Sequence, residues 1–303
     1  MSIVIMKSKP IIENNKNKLK QYIDTAYNTI GYKPKLIVIK SNNDKASDIY
    51  INNKRKFCED VGMEFELKTI PTNETAEHIY NLIWNEVYHN TNNADGIIVQ
   101  KPIDKLTLEQ EQSLFNSISK RMDVDALGSE RVIDIYSGKN DFLPCTVQGV
   151  IDLLDYYNVP IQGKNIVILG RSNIVGKPLA LALLNRNATV TICHSKTENI
   201  KEITKNAEII ISAIGKPKTI DRSYISLKCK CIIDVGINRN SDNKICGDCD
   251  FDDIVDWWNG SQLTEDKFIT PVPGGVGPLT VMNLVKNTYK SFSYHKNIPL
   301  KLD

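Results

Sequence analysis

No stretch of this sequence is apolar for long enough to span a membrane. Asn165–Leu169 carries four aliphatic side chains, and Ile209–Ile214 is interrupted by Ser212; a bilayer needs about 18 such residues. Ile3–Met6 is shorter than the roughly 7–15 residues of a secretory leader's apolar core, and no arginine precedes Arg55, whereas mitochondrial presequences are arginine-rich. A cytoplasmic location is therefore expected. Excess charge is also missing: 38 Lys+Arg face 36 Asp+Glu, a net +2, so neither a nucleic-acid partner nor a membrane surface is expected. There is no internal repeat and no low-complexity linker.

Cysteine is present without forming a framework. The seven are odd in number and scattered along 303 residues, unlike the dense pattern of a small disulfide-stapled domain. One grouping, Cys229-Lys-Cys231 with Cys246-Gly-Asp-Cys249, brings four thiols into two close pairs, as a zinc site would. Cys-x-Cys is a poor match to paired Cys-x-x-Cys, however, and strand alternation is expected to turn Cys229 and Cys231 to the same face. The expectation is small buried or loop cysteines and no metal.

What remains is an ordinary globular composition, 41% hydrophobic and 24% charged, long enough for two domains at about 150 residues each. A polar helical stretch near Glu13–Thr29 precedes the buried-strand run Lys35–Ile39. Asp44 or Ser47 is placed to cap a helix reaching about Val61 and stopped by Gly62. A strand (Glu64–Ile70), a helix opened by Thr72-Asn73-Glu74 and a strand (Gly96–Gln100) follow. The rhythm restarts after Pro144: a helix near Val147–Tyr157, strand Asn165–Leu169, helix Lys177–Arg186, strand Thr189–Cys193, then strands Glu208–Ile214 and Cys231–Val235. Strands alternating with helices imply parallel β-α-β units. The expected fold class is α/β, with two α/β domains, the second a Rossmann-like parallel sheet, and a cleft between them. The expected division is 1–146 plus 280–303 against 147–279, the helix Thr280–Phe292 packing back on the first domain.

Strand Ile166–Leu169 runs straight into Gly170-Arg171-Ser172-Asn173-Ile174-Val175-Gly176-Lys177-Pro178. A strand-to-helix turn of small residues lets backbone amides approach a pyrophosphate, and the helix N-terminus favours its charge. The spacing departs from Gly-x-Gly-x-x-Gly, since Ser172 takes the middle glycine's place and Gly176 comes one residue late. In an NAD site, an acidic residue ends the next strand to accept from the ribose 2′-hydroxyl. Here the strand ends Cys193-His194-Ser195-Lys196, with no acid before Glu198. Ser195, Lys196 and Arg171 suit a 2′-phosphate, so the expected cofactor is NADP. On the first-domain helix, Tyr50 and Lys54 are four residues apart and share a face. A ring beside an amine suits a flat heteroaromatic substrate and a proton transfer, provided burial lowers the lysine pKa; a surface lysine lying along a tyrosine is the alternative.

Seven strings occur in order: Ser47-Asp-Ile-Tyr50-Ile-Asn-Asn-Lys54-Arg-Lys56, Gly96-Ile-Ile-Val-Gln100-x-Pro102, Asp123-Val-Asp125, Pro144-Cys-Thr146, the Gly170–Pro178 turn, Thr189–Ser195, and Thr270-Pro-Val-Pro-Gly-Gly-Val-Gly-Pro278. Together, from about Lys35 to Thr288, they resemble the methylenetetrahydrofolate dehydrogenase/methenyltetrahydrofolate cyclohydrolase family (the FolD type). The resemblance implies oxidation of 5,10-methylenetetrahydrofolate by hydride transfer to NADP, then hydrolysis to 10-formyltetrahydrofolate. By resemblance, Tyr50 stacks on the folate, Lys54 handles protons in the cyclohydrolase step, Gln100 hydrogen-bonds Lys54, and Asp125 accepts from the pterin edge. Pro271, Pro273, Gly274 and Gly275 line the folate, and Gly170, Arg171, Ser172, Ile174, Val175, Gly176, His194, Ser195, Lys196 and Ile237 hold the dinucleotide. A homodimer acting on tetrahydrofolate one-carbon derivatives is implied, without a formyltetrahydrofolate synthetase region.

Some positions depart from that pattern. Lys101 stands where an apolar residue is usual, Ala126 replaces a glycine, Val147 a proline and Leu279 a methionine, and Lys40–Ala46 lacks the usual turn. Ala126 matters if its position needs φ > 0. Lys101 either lowers the pKa of Lys54 or points to solvent. A dehydrogenase with weak or absent cyclohydrolase activity, and a non-catalytic folate or nucleotide binder, are the alternative readings.

Overall fold

A computed structural model describes residues 1–298. In chain order the strands and helices are β1 (Ile3–Ile5), α1 (Lys9–Ile30), β2 (Lys35–Lys40), α2 (Lys45–Val61), β3 (Glu64–Thr69), α3 (Ala76–His89), β4 (Gly96–Gln100), α4 (Leu108–Ser117), α5 (Ser129–Tyr136), α6 (Cys145–Tyr156) and β5 (Asn165–Leu169). They continue with α7 (Gly176–Leu184), β6 (Thr189–Cys193), α8 (Ile200–Lys205), β7 (Ile209–Ser212), β8 (Cys231–Asp234), β9 (Asn238–Arg239), β10 (Ile245–Cys246), α9 (Phe251–Asn259), β11 (Lys267–Ile269) and α10 (Val276–Lys296). Among the described residues, no helix is long and apolar enough to cross a membrane.

The chain divides into two compact units. Among the described residues, one comprises Glu13–Cys145 together with 281–298. Its sheet has the order β3-β2-β4, all parallel. Strand alternation sorts the side chains onto two cores. Leu36, Val38 and Ile98 pack with α1, α2 and α10 through Leu19, Ile23, Ile51, Cys58, Val285 and Phe292. Ile37, Ile39, Ile97 and Val99 pack with α3 and α4 through Ile79, Ile83, Leu114 and Phe115. A strand covered on both faces must be apolar throughout, which is why Lys35–Ile39 reads as a continuous run.

The other unit comprises Met1–Ile12 and Thr146–Thr280, built on a six-stranded sheet of order β1-β11-β8-β7-β5-β6. Every pairing in it is parallel. The N-terminal strand is where this differs from expectation: residues 1–12 join this unit, because Ile3, Val4 and Ile5 pair with Lys267, Phe268 and Ile269. Three-residue strands such as β1 and β11 are too short to announce themselves by periodicity, and their pairing is a tertiary choice. Helix α3 is also capped differently, by Thr75 accepting from the His78 N–H at 3.2 Å, rather than opened at Thr72. Helix α4 opens with a reciprocal capping box between Thr107 and Gln110.

All seven cysteines are free and buried. Cys229 and Cys231 do not share a face. Cys229 packs into the cluster containing Ile232, whereas Cys231, the neighbour of Ile232 in β8, puts its Sγ 3.7 Å from Met6 Sδ. Cys229 lies in a turn before the strand, its N–H donating to Ser226 O at 3.0 Å, so strand alternation does not reach it.

Candidate active site

Helix α2 begins at Asp44, whose carboxylate accepts from the Ala46 and Ser47 N–H groups at 3.0 and 3.3 Å. That side chain supplies the start signal for the helix, which the rest of the Lys40–Ala46 segment lacks. The helix ends at Gly62, φ +82, with Gly62 N–H on Glu59 O and Met63 N–H on Cys58 O, the two bonds of a Schellman motif. Its buried face carries Ser47, Ile51, Lys54, Cys58 and Val61. At i, i+4 and i+7 spacing this is an apolar stripe in which an amine occupies one core position.

Lys54 is 9% exposed, and its Nζ donates to Gln100 Oε1 at 2.6 Å. Gln100, the last residue of β4, turns its other end back: Nε2 donates to Lys101 O at 2.6 Å. That second bond fixes the amide so that its oxygen faces the amine. Burial pulls the Lys54 pKa below the ordinary lysine value, opposed by the negative charge of Asp125 and by Cys145 and Cys58. Asp125 is close enough to Cys145 to help burial push that thiol well above its usual pKa. Cys145 donates to Val124 O at 3.3 Å, and Asn287 Nδ2 donates to the same carbonyl at 2.9 Å. Lys54, Gln100, Asp125 and Cys145 thus form one group, with half-buried Tyr50 one turn before Lys54. Cys58 and Cys145 were not foreseen as neighbours of the amine, although Cys58 sits at i+4 from Lys54, which is a readable signal.

The Asp125 loop is pinned by Asp123, whose carboxylate accepts from the Leu127 and Gly128 N–H groups at 3.2 and 2.8 Å. Burial raises the Asp123 pKa to about 6. Ala126 has φ +56, so the position does demand the left-handed region, and a methyl is held there against preference. Lys101 takes neither expected course. Its Nζ pairs with Glu111 Oε2 at 2.5 Å, which neutralises the added cation.

In the other unit, the turn after β5 is shaped by glycine where nothing else fits. A Cβ on Gly170 (φ +124) would lie 2.3 Å from Ala213 O, and one on Gly176 would lie 2.1 Å from Gly170 O. Ser172 explains the irregular spacing: its Oγ accepts from Val175 and Gly176 N–H at 3.2 and 3.4 Å, tying the turn to the start of α7. Val175 is buried, while Ile174 and Ile237 are exposed. After β6, His194 Nδ1 accepts from Lys196 N–H at 3.1 Å, folding a turn that leaves Ser195 and Lys196 exposed, as Arg171 is. Pro271–Gly275 follows β11, with Gly274 O receiving both the N–H and the hydroxyl of Ser8 at 2.9 Å. A Cβ on Gly275 would lie 2.6 Å from Pro271 O. Among the described residues there is no group of three or more His, Cys, Asp and Glu side chains set to hold a metal.

Two family models match the chain: the tetrahydrofolate dehydrogenase/cyclohydrolase catalytic domain over residues 6–125, and the NAD(P)-binding domain of the same family over residues 144–296. The chain belongs to the tetrahydrofolate dehydrogenase/cyclohydrolase family. It is 43% identical over 272 residues to the bifunctional protein FolD of Agathobacter rectalis, covering 90% of this chain and 92% of that one. The crystal structure of the bifunctional FolD enzyme of Campylobacter jejuni superposes with TM-score 0.87 at 34% identity, over 97% of this chain and all of that one. The Trypanosoma brucei enzyme, solved with NADP and an inhibitor, gives TM-score 0.87 at 28% identity, over 98% and 99% of the two chains. This family member is therefore a dehydrogenase and cyclohydrolase acting on tetrahydrofolate one-carbon units, with an NAD(P)-binding domain. That agrees with the activity, substrate and two-domain α/β fold expected from the sequence.

Proposed function

We propose that Lys54 is the proton-handling group of the cyclohydrolase step, with Gln100 holding it and Asp125 and Tyr50 binding the pterin. The observation that carries this reading is the buried Lys54–Gln100 hydrogen bond at 2.6 Å, in a stripe where a core residue would otherwise sit. A desolvated amine gives up its proton more readily than a surface one, which makes it a better acid–base group. Gln100, locked by the Lys101 carbonyl, keeps an acceptor on the amine in either protonation state. Asp125 is suited to the guanidine-like pterin edge because a carboxylate accepts two parallel hydrogen bonds. Tyr50, half-buried, offers its ring to a flat heterocycle. On the family resemblance, Pro271, Pro273, Gly274 and Gly275 are read as folate-binding residues.

The dinucleotide is read as NADP, which when bound supplies the hydride acceptor. The missing methyls at Gly170 and Gly176 let the turn fold tightly on itself and on residue 213, directly before the N-terminus of α7, the place where helices favour a pyrophosphate. Arg171, Ser195 and Lys196 present exposed donors and positive charge where an NAD site would carry an acid. Ile174, Val175, His194 and Ile237 shape the same edge. A homodimer in the cytoplasm is part of this reading, on the family resemblance, with sedimentation velocity as its check. The assignment is tested by following NADPH formation from 5,10-methylenetetrahydrofolate with NADP and with NAD, for wild type and Lys54→Gln. Expected are a clear kcat/KM preference for NADP, and a Lys54→Gln enzyme that retains measurable dehydrogenase while losing cyclohydrolase. Equal loss of both activities would refute the division of labour.

A further inference from the structure

In the six-stranded sheet, β5 lies between β6 and β7, so successive connections leave it in opposite directions. The crevice at the carboxyl ends of such strands is where α/β sheets bind ligands. The last residues of these strands are in register: Leu169 pairs with Cys193 and with Ser212, and Ser212 pairs with Asp234. Gly170 and Ala213 come next and meet, as the 2.3 Å approach to Ala213 O shows. The nucleotide turn is therefore only as well placed as the segment that follows β7.

That segment has no regular structure, and it is held by one side chain. Asp248 is fully buried. Its Oδ2 accepts from Ser212 Oγ at 3.1 Å and from the Ile214 and Gly215 N–H groups at 2.8 and 3.3 Å. Its Oδ1 accepts from Lys216 N–H at 3.0 Å and Asn238 Nδ2 at 2.8 Å. A second carboxylate holds the first. Asp234 Oδ1 accepts from the Asp248 and Gly236 N–H groups at 3.0 and 2.9 Å, and Oδ2 accepts from Cys249 N–H at 2.7 Å. The neighbouring glycines leave no room for a side chain: a Cβ on Gly236 would lie 2.1 Å from Asp248 Oδ1, and one on Gly247 would lie 1.9 Å from Asp234 Oδ2.

We propose that Asp248 is a positioning residue for the dinucleotide, fixing residues 213–216 against Gly170 and, through Asn238, fixing Ile237 beside them. This rests on reading the Gly170 turn as the dinucleotide site. Burying two carboxylates next to each other is costly, and apolar filling would generally stabilise as well or better. What a carboxylate adds is directional: three consecutive backbone N–H groups and two side-chain donors are drawn to one point, which sets the loop's path. Asp248 touches neither reacting centre, so its effect is on where the nucleotide binds.

The test uses the two activities of one enzyme, because hydrolysis of preformed methenyltetrahydrofolate needs no dinucleotide. Asp248→Asn keeps the volume but turns a donor toward donors. It is expected to raise KM for NADP by about tenfold, the effect of losing a hydrogen bond to a buried charge, while cyclohydrolase kcat/KM stays within about twofold. Ser212→Ala, which removes a single bond to Asp248, is expected to raise the same KM about threefold on the scale of one hydrogen bond. An unchanged KM for NADP in Asp248→Asn overturns the proposal, as does a parallel fall of both activities in Ser212→Ala. If Asp248→Asn loses both activities through misfolding, Ser212→Ala decides alone: a selective rise in KM supports the proposal, and an unchanged KM overturns it. A wild-type enzyme that forms no NADPH would instead refute the function proposed above, and calorimetric titration of NADP into wild type and Ser212→Ala then decides the role of Asp248.

Discussion

The two units build their functional surfaces from opposite materials. Around α2 and β4 the proposed proton chemistry rests on side chains taken out of water: Lys54 is 9% exposed and bonded to Gln100, and Asp123 behind the Asp125 loop is 2% exposed. Around β5 and β6 the surface is backbone shaped by missing methyls at Gly170 and Gly176, with the charges of Arg171 and Lys196 exposed to solvent. Desolvation strengthens and tunes an ionisable group, whereas exposed charges are screened and contribute little individually. A proton-transfer site needs the first environment; a site for a doubly charged phosphate that must also release its ligand works with the second. Both units nevertheless fix their working loop in the same way, with a buried aspartate accepting backbone N–H groups: Asp123 from Leu127 and Gly128, Asp248 from Ile214, Gly215 and Lys216.

This contrast is most sharply broken at Lys54. Lys54→Met is expected to lower cyclohydrolase kcat by about 10³-fold, within the range of a general acid–base group, with dehydrogenase still measurable; a loss below tenfold would mean the amine is not the proton carrier. Next in size is Gly170→Ala, whose methyl cannot be accommodated 2.3 Å from Ala213 O. Dehydrogenase kcat/KM with NADP should fall about 10²-fold, as for an angstrom-scale misplacement, and cyclohydrolase should persist. Lys196→Ala removes an exposed charge, so KM for NADP should rise only about fivefold, equivalent to roughly 1 kcal/mol, with KM for NAD unmoved.

The buried amine also makes a prediction about stability. Its pKa is lower folded than unfolded, so between those two values the unfolded chain binds the extra proton, and stability rises with pH there. Below the folded value the amine is charged and buried, and its full penalty applies. Lys54→Met should therefore gain most over wild type near neutrality, and the gap should narrow as denaturant titrations are taken toward pH 10. A gap that widens would show that the ammonium is stabilised where it sits. The smallest effect is expected at Ala126→Gly. Relief of a left-handed alanine gives about 1 kcal/mol, and loss of a buried methyl costs about 0.8 kcal/mol, leaving a change in unfolding free energy below roughly 0.5 kcal/mol by chemical denaturation.

Much of this was readable because it is local. Asp44 and Gly62 bracket α2 by capping chemistry, apolar runs mark β2, β4 and β5, and the turn after β5 follows from its glycines. The placement of Tyr50 and Lys54 on one helix face was visible from their four-residue spacing. The rest depended on distant partners. Asp248 sits 36 residues from Ser212 in a stretch whose sequence reads only as a cysteine pair, and nothing local distinguishes it from a surface aspartate. Lys101 looked like an added charge near the amine until Glu111, ten residues on, was found to hold it.

The alternation of β2, β3 and β4 with their helices, the run of strands from β5 to β8, the positions of Tyr50, Lys54 and the glycine turn, and the lack of an acid between Cys193 and Glu198 were determined by the sequence itself, because propensity, periodicity and capping act within a few residues. The tertiary structure alone decided that residues 3–5 complete the six-stranded sheet, that Cys229 and Cys231 face different cores, that Lys54 is desolvated against Gln100, and that Asp234 and Asp248 share one buried network. Each of these is a meeting of segments far apart along the chain, and such meetings depend on which surfaces are left to pair once every local element has formed.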